Sequence, residues 1–384
     1  MGSSGLRQRA LTAALVVAGG LAAAGLAWGA ATLVRGPSPS PTGLHTIVEP
    51  TGSSAPGDPT GVASPTSDLP VVRPVVLAFA GDVHFEDFLR EPLLADPDGL
   101  LGPAVPLFAG ADHVVVNLET AVTTRGTPWP KMYNFRSPPE AFTALRAVGV
   151  DAVTLANNHT LDYRLEGLGD TLEHAEAAGM ATFGAGPDLA SALAPLSVTI
   201  NGQRIAFLGA AEVLTDEAWV ARDAIGDQPA RPGMPGAQPR HREALLAAVA
   251  AAADGHDVVV VYLHWGEEHV HCPGSRQTSL VGPLVAAGAT IIIGAHPHDL
   301  QGYGFVDGAL VHYSLGNFVW WTRGPGDSRS SETGVMHVRI DPDGTMTPEW
   351  RPAQITDGIP APVPAADEPA YRARMDQWIA CAGL

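Results

Sequence analysis

Thr290-Ile291-Ile292-Ile293-Gly294-Ala295-His296-Pro297-His298 is the stretch on which the reading of the whole chain turns. Its opening run is β-branched and continuous, the pattern of a strand buried on both faces. A glycine ends the run, and two imidazoles separated by one residue follow at once. A strand end feeding a short loop is a rigid base for binding or catalysis, and neutral imidazole is a common protein ligand for transition metals. A polar turn that happens to hold two histidines is the alternative, so the reading depends on what the other strand ends supply.

They supply residues of the same kind. Val75 to Ala80 is an apolar run that passes into Gly81-Asp82-Val83-His84, and Val114 to Val116 passes into Asn117-Leu118-Glu119-Thr120. Ala152 to Leu155 leads to Ala156-Asn157-Asn158-His159, and Val258 to Leu263 leads to His264-Trp265-Gly266. Helical spacing occupies Pro139 to Val148, Leu165 to Ala178 with Gly179 as C-cap, His241 to Ala252 and Val281 to Ala287. Asn201-Gly202 between two apolar runs marks a tight hairpin. Late strands are expected at Leu310 to Ser314 and Val335 to Ile340, then a turn at Asp341 to Gly344, a Pro-rich connection from Pro360 to Pro369 and a closing helix from Ala370 to Ala382. The alternation predicts an α/β layered domain with mixed sheets. Ligands of open α/β sheets gather outside the carboxyl ends of the strands, where every polar cluster falls.

With 46% hydrophobic residues in 384 the chain has ample material for a core. Its 22 Lys+Arg against 40 Asp+Glu, a net charge of −18, work against a polyanion held by charge alone, so no nucleic-acid partner is expected. Residues 1–10 carry Arg7 and Arg9, and Leu11 to Val34 then runs without a charged residue, long enough to span a bilayer. An uncleaved, single-pass anchor at 11–34 is the expectation, with a cleaved signal ending near Gly29-Ala30-Ala31 as the alternative; either exports the remainder from the cytoplasm. Residues 35–70, rich in Pro, Ser, Thr and Gly, read as an extended linker. The folded domain covers 71–384. Cys272 and Cys381 are its only cysteines, and in an exported chain they are expected to pair, two free thiols being the alternative.

Asp82, His84, Glu119, Asn158, His159, His264, His296 and His298 thus gather five imidazoles, two carboxylates and one amide at strand ends. Mixed nitrogen and oxygen donors suit Mn, Zn or Fe better than Mg or Ca. Asp162 either orients His159 or caps the helix after it, and Asn317 either orients a ligand or makes a turn. Lys131 and Arg136 are candidates to receive an anionic substrate. Glu267, Glu268, His269 and His271 read as a solvated loop, and Trp265 as packing.

Phe79-Ala80-Gly81-Asp82, Asn117-Leu118-Glu119, Asn157-Asn158-His159 with Asp162, His264-Trp265-Gly266-Glu267, Gly294 to His298 and Ser314-Leu315-Gly316-Asn317-Phe318 occur in the order seen in the capsule-synthesis CapA family, which the chain resembles from roughly Val75 to Phe318. Lys131 to Phe135 and Gly184 to Gly186 look like two further family patches. That family is similar to the calcineurin-like metallophosphatases. The resemblance implies a four-layer α/β/β/α sandwich of metallophosphatase type holding two divalent transition metal ions. By analogy Asp82, His84 and His298 hold one ion, while Asn158, His264 and His296 hold the other. Glu119 stands where the relatives usually have a bridging Asp, and His159 matches their general acid. The implied function is that of an exported, membrane-tethered hydrolase of capsule or cell-envelope polymer, poly-γ-glutamate, cleaving phosphoester or amide bonds beside capsule-synthesis membrane proteins. A non-catalytic component that binds or exports polymer is the alternative, favoured by the glutamate at the bridging position.

Overall fold

The computed structural model describes residues 72–213, 239–326 and 331–384. The expected anchor at 11–34, the linker at 35–70 and most of a Pro/Gly-rich stretch at 229–239 lie outside the described residues. Among the described residues no helix is long and apolar enough to cross a membrane.

Val75–Val83 is the central strand, because its alternate residues serve two different cores. It pairs in parallel with His113–Leu118 on one side and antiparallel with Glu332–Ile340 on the other. The described strands extend this to an eight-stranded mixed sheet, in the order Ile359–Pro362, Met346–Thr356, Glu332–Ile340, Val75–Val83, His113–Leu118, Ala152–Thr154, Ala181–Phe183, with Asn317–Val319 beside the end of Val75–Val83. A second, six-stranded sheet runs Tyr303–Val306, Ala309–His312, Ile291–Ala295, Val258–His264, Gln203–Ala211, Leu196–Ile200.

Period-two alternation sorts the side chains. Leu77, Phe79 and Val115 of the first sheet meet Phe207, Val260, Ile291 and Ile293 of the second in a shared core. Ala78, Ala80, Val114 and Val116 face the other way, against Phe142, Leu145 and Leu168 of the helices Glu140–Ala147 and Arg164–Ala177. Leu208, Val259, Val261 and Ile292 face Leu245, Val249, Leu280 and Leu284 of Pro239–Gly255 and Ser275–Ala286. Each sheet therefore carries helices on its outer face. The order is helix, sheet, sheet, helix.

The Asn201-Gly202 turn joins its two strands as expected, both residues having positive φ. The chain after the Asp341 to Gly344 turn differs. Met346–Thr356 and Ile359–Pro362 are strands, although the latter falls partly in what reads as a Pro-rich connection. Over 346–352 the long strand has a ladder on one side only, which is where Pro348 and Pro352 are tolerated. Cys272 and Cys381 form a disulfide that fixes the closing helix Glu368–Ala382 to the loop after His264.

Gly294 shows how tightly the strand ends are packed. A Cβ there would lie 1.9 Å from the Tyr313 carbonyl oxygen and 2.4 Å from Trp265 Nε1, atoms that hydrogen-bond each other at 2.8 Å. Gly294→Ala is expected to cost about 3 kcal/mol by overpacking, seen in thermal melts as a fall of roughly 5 °C for a domain of this size. An unmoved melting temperature would contradict the packing argument.

Candidate metal centre

Parallel pairing within each sheet brings five strand ends to one edge, and the polar residues that follow them meet there. Asp82, Glu119, Asn158, His264, His296 and His298 are all buried. Potential ligand atoms of Asp82, Glu119 and His264 lie within 4.8 Å of one another, and so do those of Glu119, His296 and His298. Glu119 is common to both groups, which is the arrangement a bridging carboxylate requires. Asn158 adjoins the first group, its Oδ1 lying 2.9 Å from His264 Nε2.

The loop Ala295 to His298 achieves this by unusual backbone. His296 and His298 adopt φ of 95° and 58°, left-handed values that cost a side-chain-bearing residue free energy and persist where surroundings impose them. The imposing contacts include the His296 N–H donating to Asp82 Oδ2 at 3.1 Å and His298 Nδ1 meeting Asn317 Oδ1 at 2.9 Å. Asn317 also donates from Nδ2 to the His298 carbonyl at 3.2 Å, so Asn317 orients the His298 ring. With Nδ1–H held there, the lone pair of His298 is on Nε2. Both histidines fall in one group with Glu119 instead of dividing between two, as the family analogy implies.

His84 also departs from that analogy. It belongs to neither group, its Nδ1 accepts the Glu86 N–H at 3.0 Å, and its ring is held by Phe135 at 4.5 Å and Trp320 at 4.1 Å. With Nδ1 accepting, the ring proton sits on Nε2, where a ligand needs a lone pair.

Whether the centre fits a metal is decided by its unpaired atoms. Both oxygens of Glu119 and Nδ1 of His296 are buried without a hydrogen-bond partner, whereas buried polar atoms are normally satisfied. Burial and the neighbouring Asp82 charge push the Glu119 carboxyl well above its usual range. Burial also pushes on Asp82, but His298 and His264 outweigh it and leave that carboxyl below its ordinary value. Burial holds His296 well below its ordinary pKa and His264 at about 3. Burial works against His298 too, yet Glu119 and Asp82 raise it to about 9. Two adjacent buried carboxyl groups thus favour a proton on His298, and dications would meet the same demand. The donor set of carboxylate, imidazole and amide oxygen is one that Mn, Zn or Fe accepts.

Beside the centre stands a polar triplet. His159 Nδ1 is 2.6 Å from Asp162 Oδ2, and Lys131 Nζ is 2.5 Å from Asp162 Oδ1 and 2.9 Å from the Asn158 carbonyl. Asp162 therefore orients His159; it is not the cap of the helix Arg164–Ala177, which has no side-chain cap. His159 Nε2 faces Glu119 Oε1 at 3.8 Å. Burial and Lys131 keep this imidazole well below its ordinary pKa, while burial, partly offset by Lys131, lifts Asp162 to about 7. Lys131 is thus engaged inside the site, and Arg136 lies over the Tyr163 ring at 3.5 Å while donating to the Arg125 carbonyl. Both candidates for an anionic substrate are thus held by protein partners. Glu267, Glu268 and His269 are exposed, and Trp265 is packing.

Asn117 and Asn157 are site residues that the sequence reading passes over. Asn117 Nδ2 donates to Asp82 Oδ1 at 2.7 Å and lies 3.1 Å from His264 Nδ1, tying the two sheets together at the centre. Asn157 Nδ2 donates to Asn117 Oδ1, and its own Oδ1 accepts the His159 N–H. The signal for Asn117 was its place two residues before Glu119, on the same face of an extended chain.

Two packed mixed sheets with a buried carboxylate and imidazole cluster at their common edge define an α/β protein with a candidate two-metal centre. The chain belongs to the family described as bacterial capsule synthesis protein PGA_cap, whose model matches residues 76–321. It is 29% identical to the PGA biosynthesis protein CapA of Bacillus subtilis (strain 168), over 74% of this chain and 73% of that one. It is 30% identical to the capsule biosynthesis protein CapA of Bacillus anthracis, over 68% of this chain, and spans 62% of that protein's length. Among solved structures it is similar to a 5'-nucleotidase from Candida albicans SC5314, with TM-score 0.39 and 11% identity over 72% of this chain and 50% of that one.

Proposed function

We propose that the chain is a two-metal hydrolase of capsule or cell-envelope polymer, with a fold of metallophosphatase type, acting on phosphoester or amide bonds. The observation that carries this is Glu119, buried, without hydrogen bonds, and shared by two groups of ligand atoms. Asp82 and His264 with the Asn158 amide would hold one ion, His296 and His298 the other. Bound there, divalent ions supply positive charge against oxygens that become negative as the bond breaks. The protein's own residues do the rest. Asn117 and Asn317 fix the orientation of Asp82, His264 and His298, and His159, held by Asp162, is placed to give a proton to the leaving group.

The named relatives connect capsule and PGA biosynthesis with proteins of this kind, so an acidic polymer such as poly-γ-glutamate is the substrate class we assign. Residues 11–34 are assigned as a membrane tether that places the domain outside the cytoplasm, near the proteins that make the polymer. Purified protein loaded with Mn²⁺ or Zn²⁺ is expected to bind two ions per chain by elemental analysis and to hydrolyse aryl phosphates or a γ-glutamyl amide. Protein that binds no metal and cleaves neither bond would remove the proposal.

A further inference from the structure

Phe135, Trp320 and Ile355 form a small apolar cluster separate from the main cores, with Trp321 packed against it. Its inner members are committed to the metal centre. Phe135 stacks on His159 at 3.9 Å and Trp320 meets His298 at 4.4 Å, and both aromatics are buried. The outer members are not so committed. Trp321 meets Phe135 edge-on at 5.1 Å and Tyr133 at 6.2 Å. Tyr133 is 57% exposed and Met132 beside it 86%, although Lys131, next in the same loop, is turned inward to Asp162.

Met132 and Tyr133 stay in water at the end of an aromatic chain of contacts that begins on His159, and a ligand of the centre would cover them. Their place identifies which part of the ligand. Phe135 lies flat on His159, so the aromatic wall continues outward from the group that hands a proton to the leaving group. We infer that Tyr133 and Trp321 form the leaving-group subsite, and that it selects a leaving group with a ring face, aryl or pyranose, over a short alkyl chain. Aromatic faces favour such partners through stacking and through contact with ring C–H groups. The inference rests on the hydrolase reading above and deepens it.

Three non-hydrolysable probes test it: phenylphosphonate, a glucosyl phosphonate and methylphosphonate, titrated calorimetrically into the Mn²⁺-loaded protein. At least one ring-bearing probe is expected to bind more tightly than methylphosphonate, and the phenyl and glucosyl arms tell aryl from sugar. Tyr133→Ala and Trp321→Leu are each expected to reduce that preference about fivefold, the scale of one aromatic contact. Tyr133→Ala alters an exposed side chain, so it decides the matter even if Trp321→Leu fails to fold. Equal affinity for all three probes, or a ring preference that survives Tyr133→Ala, overturns the subsite. Failure of every phosphonate to bind overturns the phosphoester form of the hydrolase reading and the subsite with it.

Discussion

Glu119→Ala empties both metal positions in one substitution, and turnover falls by about 10³-fold or more, the scale of losing a preorganised electrostatic contact at the reacting atoms. The expectation follows from sharing. Glu119 is common to both groups of ligand atoms, whereas His298 belongs to one, so His298→Ala should leave an ion beside Asp82 and His264. Stability separates this from simple damage to the fold. In the metal-free protein Glu119 is a buried carboxyl without a hydrogen bond, pushed well above its ordinary pKa by burial and by Asp82. Removing such a group costs little, so metal-free Glu119→Ala should melt no lower than the metal-free parent. On adding metal the parent alone should gain, by about 2.7 kcal/mol at a hundredfold excess over Kd. Elemental analysis after dialysis and paired melts with and without Mn²⁺ read both effects. A Glu119→Ala protein that keeps two ions would show that the glutamate does not bridge.

Much of this centre was legible because each ligand candidate sits at the end of an apolar run. Asp82, Glu119, Asn158, His264 and His296 could be gathered from that rule alone, since parallel strands deliver their carboxyl ends to one edge. What the rule could not give is how individual rings are used. His84 stands in an Asp-x-His pattern that reads as a ligand pair, yet a backbone N–H from Glu86 takes its Nδ1, a contact with no sequence signature. His296 and His298 are divided between two ions by the family analogy; left-handed backbone at both, which no sequence pattern announces, places them together with Glu119. Lys131 reads as a substrate contact because it is a cation in an acidic protein, and only the fold reveals that Asp162 lies within its reach. The strands at Met346–Thr356 and Ile359–Pro362 were obscured by prolines, which a sheet accepts where a ladder is missing on one side.

His159→Gln lowers turnover by about 10²- to 10⁴-fold, the range of general acid catalysis, while metal content stays that of the parent. His159 is in neither group of ligand atoms, so its loss should not disturb the ions, and its neighbour Asn158 keeps the backbone contact to Lys131. Its ring is oriented for proton transfer: Nδ1 is held by Asp162 and Nε2 faces the centre near Glu119. Burial and Lys131 keep the imidazole well below its ordinary pKa. An anionic substrate reverses that balance, because a nearby negative charge favours the imidazolium. The leaving group then supplies the sharpest test. An aryl oxide departs without help, whereas an alkoxide or amine needs the proton, so the deficit of His159→Gln should be small for aryl esters and large for alkyl esters or amides. Asp162→Asn should show the same dependence in weaker form, since it acts through the orientation of His159. A deficit equal for good and poor leaving groups would deny the imidazole its role as acid. Polymer binding with no turnover to lose, in parent and variant alike, would instead identify a binding protein that has kept the metal centre.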